Sequence, residues 1–323
     1  MQIYLPMAEM SLNLFLLLGM GLAVGVLSGM FGIGGGFILT PMLILLGVPP
    51  ALAVGTGASQ VVASSVSGAL GHWRRDNIDL QMGALLIGGG LIGALSGAFV
   101  LKLLKALGQV DLFVSLAYVV LLGVIGALML IESLRTMHAI SQVQHMPLRR
   151  AAQHTWIQGL PLKQRFRASR LYISAIPPVL IGAFVGWLTA IMGVGGGFLL
   201  VPALIYLLGM PTRIVIGTSV FQIVFVTAFT TVLQAMLNGS VDMMLAAPLM
   251  VGGVIGAHYG VEIGQRLKAE QLRVMLALLV IAVSIRMALG LVVTPREVYS
   301  IEQAPEPAAI ETLAPERSAP PAQ

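Results

Sequence analysis

Two stretches of the sequence share a glycine-rich pattern that could bind an anion. Gly-x-Gly-Gly-Gly-Phe spans residues 32–37 and occurs again at residues 193–198. Consecutive glycines permit positive φ angles, and where they open a helix the free N–H groups and the helix dipole favour an anion. The candidate substrate-binding amides are those of Gly34, Gly35, Gly36, Gly195, Gly196 and Gly197. The alternative is that these glycines only allow helices to pack closely.

A second repeated motif could supply side-chain ligands. Gly-Thr-x-x-x-Gln occurs at residues 55–60 and 217–222, and its Thr and Gln are four residues apart, which places them on one helix face. A hydroxyl and a carboxamide can bind an oxyanion without a charge, so the ion can also leave. Hydrogen bonding between helices is the alternative use. The candidates are Thr56 and Gln60 with Ser59, and Thr218 and Gln222 with Ser219.

The two copies of the second motif differ at one position. The first has Gly57 where the second has Ser219, which predicts two half-sites that are not chemically identical.

Charged residues are nearly absent from the hydrophobic segments. Arg286 is the exception, and it is a candidate charge partner for a bound anion, although it lies near enough to a segment end to reach the membrane surface. Asp79 and Asp242 precede equivalent segments, where a carboxylate is expected to cap a helix N-terminus.

The composition is that of a protein that crosses a lipid bilayer several times. Of 323 residues, 57% are hydrophobic and 10% are charged, whereas a soluble domain has about 25% charged residues. The basic residues gather between hydrophobic segments, so the positive net charge does not indicate a nucleic-acid partner. The sequence has no cysteine, P-loop, dense set of metal ligands or Gly-x-Ser-x-Gly motif. We therefore expect no cofactor, no metal and no enzymatic activity.

The sequence divides into two similar halves. Each half has five hydrophobic segments, and the second of them is short, at residues 37–46 and 198–208. Equivalent motifs lie 161 to 163 positions apart. A duplicated break in a hydrophobic segment is a pointer to a transporter binding site, where the two half-helices would face one central ligand.

The number of membrane crossings decides how the halves are oriented. Five crossings per half give inverted repeats, whereas re-entrant short segments give four crossings and parallel repeats. With five, Arg74, Arg75, Arg266 and Lys268 share the side of the basic central loop, as the positive-inside rule favours. The predicted fold is therefore an all-α polytopic membrane protein of two inverted repeats of about five passes each, with one short broken helix per half.

The predicted repeats divide the chain into four regions. Residues 1–132 form the first transmembrane repeat and residues 171–293 the second. Between them, residues 133–170 hold seven Lys or Arg and no acidic residue, which predicts a cytoplasmic loop and places both termini in the periplasm. Residues 294–323 are rich in Pro, Ala and Glu and are expected to be disordered.

The order of these motifs resembles a known family. Gly-x-Gly-Gly-Gly-Phe-x3-Pro followed by Gly-Thr-x-x-x-Gln, present in both halves, is similar to the sulfite exporter TauE/SafE family, also called the toluene sulfonate uptake permease family. The resemblance covers Leu12 to Val293. It implies a secondary transporter that moves small sulfur-containing or organic anions, such as sulfite, sulfoacetate or other sulfonates, across a cell inner membrane.

The expected mechanism is alternating access around a small anionic substrate, driven by a proton or sodium gradient or by the gradient of the substrate itself. The sequence is also compatible with a homo-oligomer. Two alternatives remain at this point. One is an anion channel. The other is a membrane scaffold or accessory subunit that recruits a partner through its basic loop.

Overall fold

In this computed structural model, residues 2–108, 110–142, 161–166, 168–169, 171–266 and 269–292 are described. The first half has five helices: α1 Leu14–Phe31, α2 Gly36–Leu45, α3 Pro50–Trp73, α4 Leu80–Ala106 and α5 Val110–Gln142. The second half repeats them as α6 Ile176–Met192, α7 Gly197–Tyr206, α8 Thr212–Leu233, α9 Met243–Arg266 and α10 Ala269–Val292. A π-helical turn, Gln234–Asn238, follows α8.

The helices confirm the prediction of an all-α membrane protein. Four are long and apolar enough to cross a bilayer: Leu14–Phe31, Leu80–Ala106, Thr212–Asn238 and Met243–Gly264. Helices α2 and α7 have 10 residues each. At 1.5 Å per residue they are about 15 Å long, roughly half the thickness of the hydrocarbon core.

Contacts between the halves show which helices run in the same direction. Helices α1 and α9 are parallel, since their contacts advance together along both: Gly21 with Leu249, Gly25 with Gly253 and Gly29 with Ala257. Helices α4 and α6 are parallel in the same way, through Gly93 with Ala183 and Gly97 with Trp187. These two helix pairs are equivalent under the repeat.

The equivalent helices α3 and α8 run in opposite directions. Gly55, near the start of α3, packs against Ser240 beyond the end of α8, and Gly217, near the start of α8, packs against Asn77 beyond the end of α3. Helices α5 and α10 are also antiparallel, since Gly123 packs against Ser284 and Gly126 against Ile281. Parallel four-pass repeats would align each of these pairs, so the structure confirms two inverted repeats of five helices.

Two β-hairpins precede the first helices of the two halves. One lies in the region assigned to the first repeat, and the other joins the end of the assigned central loop to the start of the second repeat. Strand β1 (Gln2–Leu5) pairs with β2 (Met10–Asn13), and β3 (Lys163–Phe166) pairs with β4 (Leu171–Ser174). Both strands of the second hairpin lie 161 positions after those of the first, so the hairpin belongs to the repeat. Four-residue strands are too short to show a clear hydrophobic period, which is why the sequence does not reveal them.

The helix boundaries of the structure do not coincide with the ends of the regions assigned from the sequence. Helix α1 begins at Leu14 and α6 at Ile176 because the hairpins precede them. Helix α5 continues to Gln142, which lies inside the segment assigned to the loop. Residues 143–160 of that loop and the tail 294–323 lie outside the described residues.

The packing of α1 on α9 can be tested at a glycine. A methyl group on Gly25 would overlap the backbone carbonyl of Gly253, whereas a methyl group on Gly19 meets no atom within 4 Å. We expect Gly25→Ala to lower the free energy of unfolding by about 1–3 kcal/mol, because the backbones must separate. Gly19→Ala is the matched control and should leave stability unchanged or slightly raised. Thermal unfolding in detergent measures both, and equal melting temperatures would contradict this packing.

Candidate functional site

The repeated glycine motifs form two tight loops that lead into the half-helices. Gly32, Gly34 and Gly35 have φ angles of 69°, 83° and 71°, and their counterparts Gly193, Gly195 and Gly196 have 68°, 77° and 70°. Glycine adopts this left-handed backbone without strain. Helix α2 then starts at Gly36 and α7 at Gly197.

The two loops contact each other at the centre of the molecule. A Cβ atom added to Gly36 would lie 2.6 Å from the carbonyl oxygen of Gly193, and one added to Gly197 would lie 2.5 Å from Cα of Ile33. The rings of Phe37 and Phe198 stack with centroids 5.9 Å apart. The half-helix N-termini therefore converge, and in this conformation the loops pack against each other.

Two aliphatic side chains cover the loops. A Cβ atom on Gly34 would lie 3.0 Å from Cγ1 of Val61 and 3.2 Å from Cγ2 of Ile223, and the same two side chains border Gly195. Val61 and Ile223 directly follow the two glutamines of the repeated motif. The position of these two residues is visible in the sequence, because an aliphatic residue directly follows the glutamine in both copies of the motif.

The carboxamides of Gln60 and Gln222 are buried without hydrogen bonds to any residue that the structure describes. Both are fully buried, and neither the amide nitrogen nor the carbonyl oxygen of either has a hydrogen-bond partner among the described residues. Nε2 of Gln60 lies against Gly253 on α9, and Nε2 of Gln222 lies against the equivalent Gly90 on α4. An unpartnered buried polar group costs about 1–3 kcal/mol. Such groups are suited to a ligand that supplies the missing partners.

Thr56 and Thr218 join the two halves. Oγ1 of Thr56 accepts a hydrogen bond from the backbone N–H of Asp242 at 3.1 Å, and Oγ1 of Thr218 accepts one from the N–H of Asp79 at 3.0 Å. These contacts lie at opposite ends of the antiparallel pair α3 and α8. Each threonine oxygen thus has a structural partner in the other repeat.

The aspartates cap their helices, as the sequence predicts. Oδ1 of Asp79 accepts from the N–H of Met82 at 3.1 Å, and Oδ1 of Asp242 accepts from the N–H of Leu245 at 3.2 Å.

The second carboxylate oxygen of each aspartate binds a hairpin of the opposite repeat. Ser169 donates its N–H and its hydroxyl to Asp79 at 3.0 and 2.5 Å, and the N–H of Met7 lies 3.4 Å from Asp242.

The remaining predicted residues have different surroundings. Ser59 donates to the carbonyl of Gly55 in its own helix at 3.3 Å, and the hydroxyl of Ser219 is buried without a described partner. Arg286 is exposed on α10, so the structure does not bring it together with the buried glutamines. Within the described ranges, no cluster of three His, Asp or Glu could hold a metal ion.

Comparison with known proteins identifies the family of this chain. The family described as "Sulfite exporter TauE/SafE" matches residues 17–287. The chain is 28% identical over 271 residues to "Probable membrane transporter protein YjnA" of Bacillus subtilis, covering 83% of this chain and 97% of that protein. It is 31% identical over 277 residues to a "Probable membrane transporter protein" of Xylella fastidiosa, covering 84% and 94%.

A shorter match, 30% identical over 95 residues, links the chain to "Sulfite exporter TauE/SafE family protein 3" of Arabidopsis thaliana, covering 29% of this chain and 20% of that protein. No solved structure matches the chain significantly. Because the family match extends over most of the sequence, the chain belongs to the sulfite exporter TauE/SafE family of membrane transporters.

Proposed function

We propose that the protein is a secondary transporter that moves small sulfur-containing or organic oxyanions, such as sulfite, sulfoacetate or other sulfonates, across an inner membrane. The observation that carries this proposal is the pair of buried, unpartnered carboxamides of Gln60 and Gln222. They occupy equivalent positions in the inverted repeats, beside loops that open two half-helices. The description of the family as a sulfite exporter supports an anion of this class, and the names of the relatives support membrane transport.

The chemistry of the site fits an oxyanion that must be released again. Each carboxamide offers two N–H donors. The first amides of α2 and α7 have no helical acceptor partner and lie at the positive ends of their helices. A buried lysine or arginine would hold an anion through a full charge, whereas these neutral donors give a weaker and more easily reversed interaction.

We propose alternating access as the mechanism, and the inverted repeats support it. The ties between Thr56 and Asp242 and between Thr218 and Asp79 lie at opposite ends of the bundle and are equivalent. Between them, the glycine loops with Val61 and Ile223 close the centre. Opening one end while the other stays tied would give the anion access from one side at a time. A proton gradient, a sodium gradient or the substrate gradient would drive net movement, and the basic central loop would face the cytoplasm.

The glutamines can be tested by a substitution that separates transport from stability. Methionine is close to glutamine in size and lacks its polar atoms, so Gln60→Met or Gln222→Met removes the cost of unpartnered groups. We expect the melting temperatures to stay unchanged or to rise. We expect sulfite or sulfoacetate flux in proteoliposomes to fall at least about tenfold, because losing two hydrogen bonds of about 1 kcal/mol each costs more than the roughly 1.4 kcal/mol that corresponds to a tenfold change.

Ser64→Ala is the matched control for that test. Ser64 is buried on the same helix as Gln60, but its hydroxyl bonds to the carbonyl of Val61 in its own helix, so flux should stay near the wild-type rate. Wild-type flux in both methionine variants would refute the assignment. Flux that does not saturate with substrate concentration would instead indicate a channel.

A neighbouring glycine gives an independent test of the Gln60 position. A Cβ atom on Gly253 would lie 2.5 Å from Nε2 of Gln60 and 3.3 Å from its Cδ, so Gly253→Ala displaces the end of a flexible side chain rather than backbone. We expect the variant to fold and to transport more slowly. Gly88→Ala, which meets no atom within 4 Å, is the control. Equal flux in both variants would show that the position of the Gln60 amide is unimportant.

A further inference from the structure

We propose that Thr40 on α2 is a substrate-binding residue, and that its hydroxyl does in the first half-site what the hydroxyl of Ser219 does in the second. This inference rests on the proposed function and adds to it a residue that the repeated motifs do not mark.

Several buried hydroxyls in these helices donate a hydrogen bond to a backbone carbonyl of their own helix. Thr189 and Thr230 donate to the carbonyl one turn earlier, each at 2.8 Å, and Ser59 does the same. This is the usual way for Ser and Thr to satisfy a hydroxyl inside a helix. Thr40 and Ser219 are fully buried, and neither hydroxyl has a partner among the residues that the structure describes.

The two hydroxyls lie at corresponding sites of the two halves, although the helices that carry them are not equivalent. Gly57 is the counterpart of Ser219, and a Cβ atom added to Gly57 would lie 2.7 Å from Oγ1 of Thr40. The threonine hydroxyl therefore occupies the space where a serine at position 57 would begin. The counterpart of Thr40 is Val201, which has no hydroxyl. Each half thus provides one hydroxyl here, from α2 in the first half and from α8 in the second.

The surroundings of Thr40 belong to the candidate site. The Cβ position of Gly57 is 4.0 Å from the carbonyl oxygen of Gly193 in the second glycine loop. The hydroxyl of Tyr118 donates to the carbonyl of Met192, and its oxygen lies near Thr40 as a possible acceptor, but the two hydroxyls do not meet hydrogen-bond geometry in this structure. Gln60 follows Gly57 by three residues on the same helix, as Gln222 follows Ser219, so each hydroxyl lies on the same side of its helix as a carboxamide.

One further hydroxyl helps to show that this pairing is selective. Ser65 on α3 is also buried and unpartnered, but its counterpart Thr227 bonds to the carbonyl of Ile223 in its own helix. Ser65 therefore has no matching unpartnered group in the other half.

The inference revises the expectation that the half-sites differ chemically. Each would present one carboxamide and one hydroxyl, all neutral hydrogen-bond donors. The ligand class that fits is a small oxyanion with several acceptor oxygens, such as sulfite or a sulfonate headgroup.

Moving the hydroxyl between helices tests this directly. Thr40→Ala should reduce sulfite flux in proteoliposomes at least about fivefold, as the loss of one hydrogen bond of about 1 kcal/mol predicts. The double variant Thr40→Ala with Gly57→Ser should recover most of that flux. In the wild type, only Oγ1 of Thr40 overlaps a Cβ atom added to Gly57, because the next atom lies 3.9 Å from that Cβ position. Replacing Thr40 by alanine removes this oxygen and makes room for the serine. Gly57→Ser alone should be impaired by that overlap.

The second half supplies the reciprocal pair. Ser219→Gly should lose flux, and Ser219→Gly with Val201→Thr should regain it by moving the hydroxyl to α7. Thr230→Val serves as a control for removing a buried hydroxyl, because Thr230 bonds to its own helix in a different part of α8. Sulfoacetate is run as a second probe with every variant.

The outcomes separate this inference from the proposed function. If Gln60→Met abolishes flux while Thr40→Ala transports at the wild-type rate, Thr40 is not a binding residue and the glutamine site stands. If Thr40→Ala loses flux and Gly57→Ser does not restore it, the role of Thr40 is in packing and the inference is wrong. If the wild type transports neither probe, the inference falls with the proposed function.

Discussion

Two helices break in the middle of this membrane protein, and the backbone exposed at each break must be kept away from lipid. Hydrocarbon offers no hydrogen-bond partners, so irregular backbone at this depth is tolerated only where protein or a polar cavity surrounds it. Here the glycine loops before α2 and α7 are enclosed by each other and by α3 and α8. Close enclosure in turn requires small residues on the surrounding helices, as seen where α1 meets α9 and α4 meets α6.

Each half of the duplicated chain supplies hydrogen-bond partners to the other half. Thr56 and Asp79 of the first repeat bind Asp242 and Thr218 of the second, and each hairpin reaches the aspartate cap of the opposite repeat. Each half therefore supplies additional hydrogen-bond partners for the capping aspartate of the other. The same exchange places equivalent contacts at both ends of the bundle, as expected of inverted repeats.

Much of this could be predicted from the sequence because its signals are long or repeated. The ten helices, the inverted orientation and the aspartate caps follow from hydrophobic runs, loop charges and the duplication. The hairpins could not be predicted, since four-residue strands give little periodic signal. The partners of Thr56 and Thr218 depend on how the two repeats pack against each other, and the sequence patterns do not predict that packing. The proposed role of Thr40 could not be predicted, because its counterpart Val201 lacks a hydroxyl and the repeated motifs therefore do not include it.

The central claim is that an anion accepts hydrogen bonds from the carboxamide N–H groups of Gln60 and Gln222, which have no acceptor among the residues that the structure describes. The most direct measurement is an experimental structure of the protein reconstituted with sulfite, together with one prepared without it. The account predicts an anion with an oxygen about 3 Å from a carboxamide nitrogen of Gln60 or Gln222, and with the loops around residues 32–37 and 193–198 separated from their present contact. An anion bound elsewhere, with both carboxamides still buried and unpartnered, would contradict it.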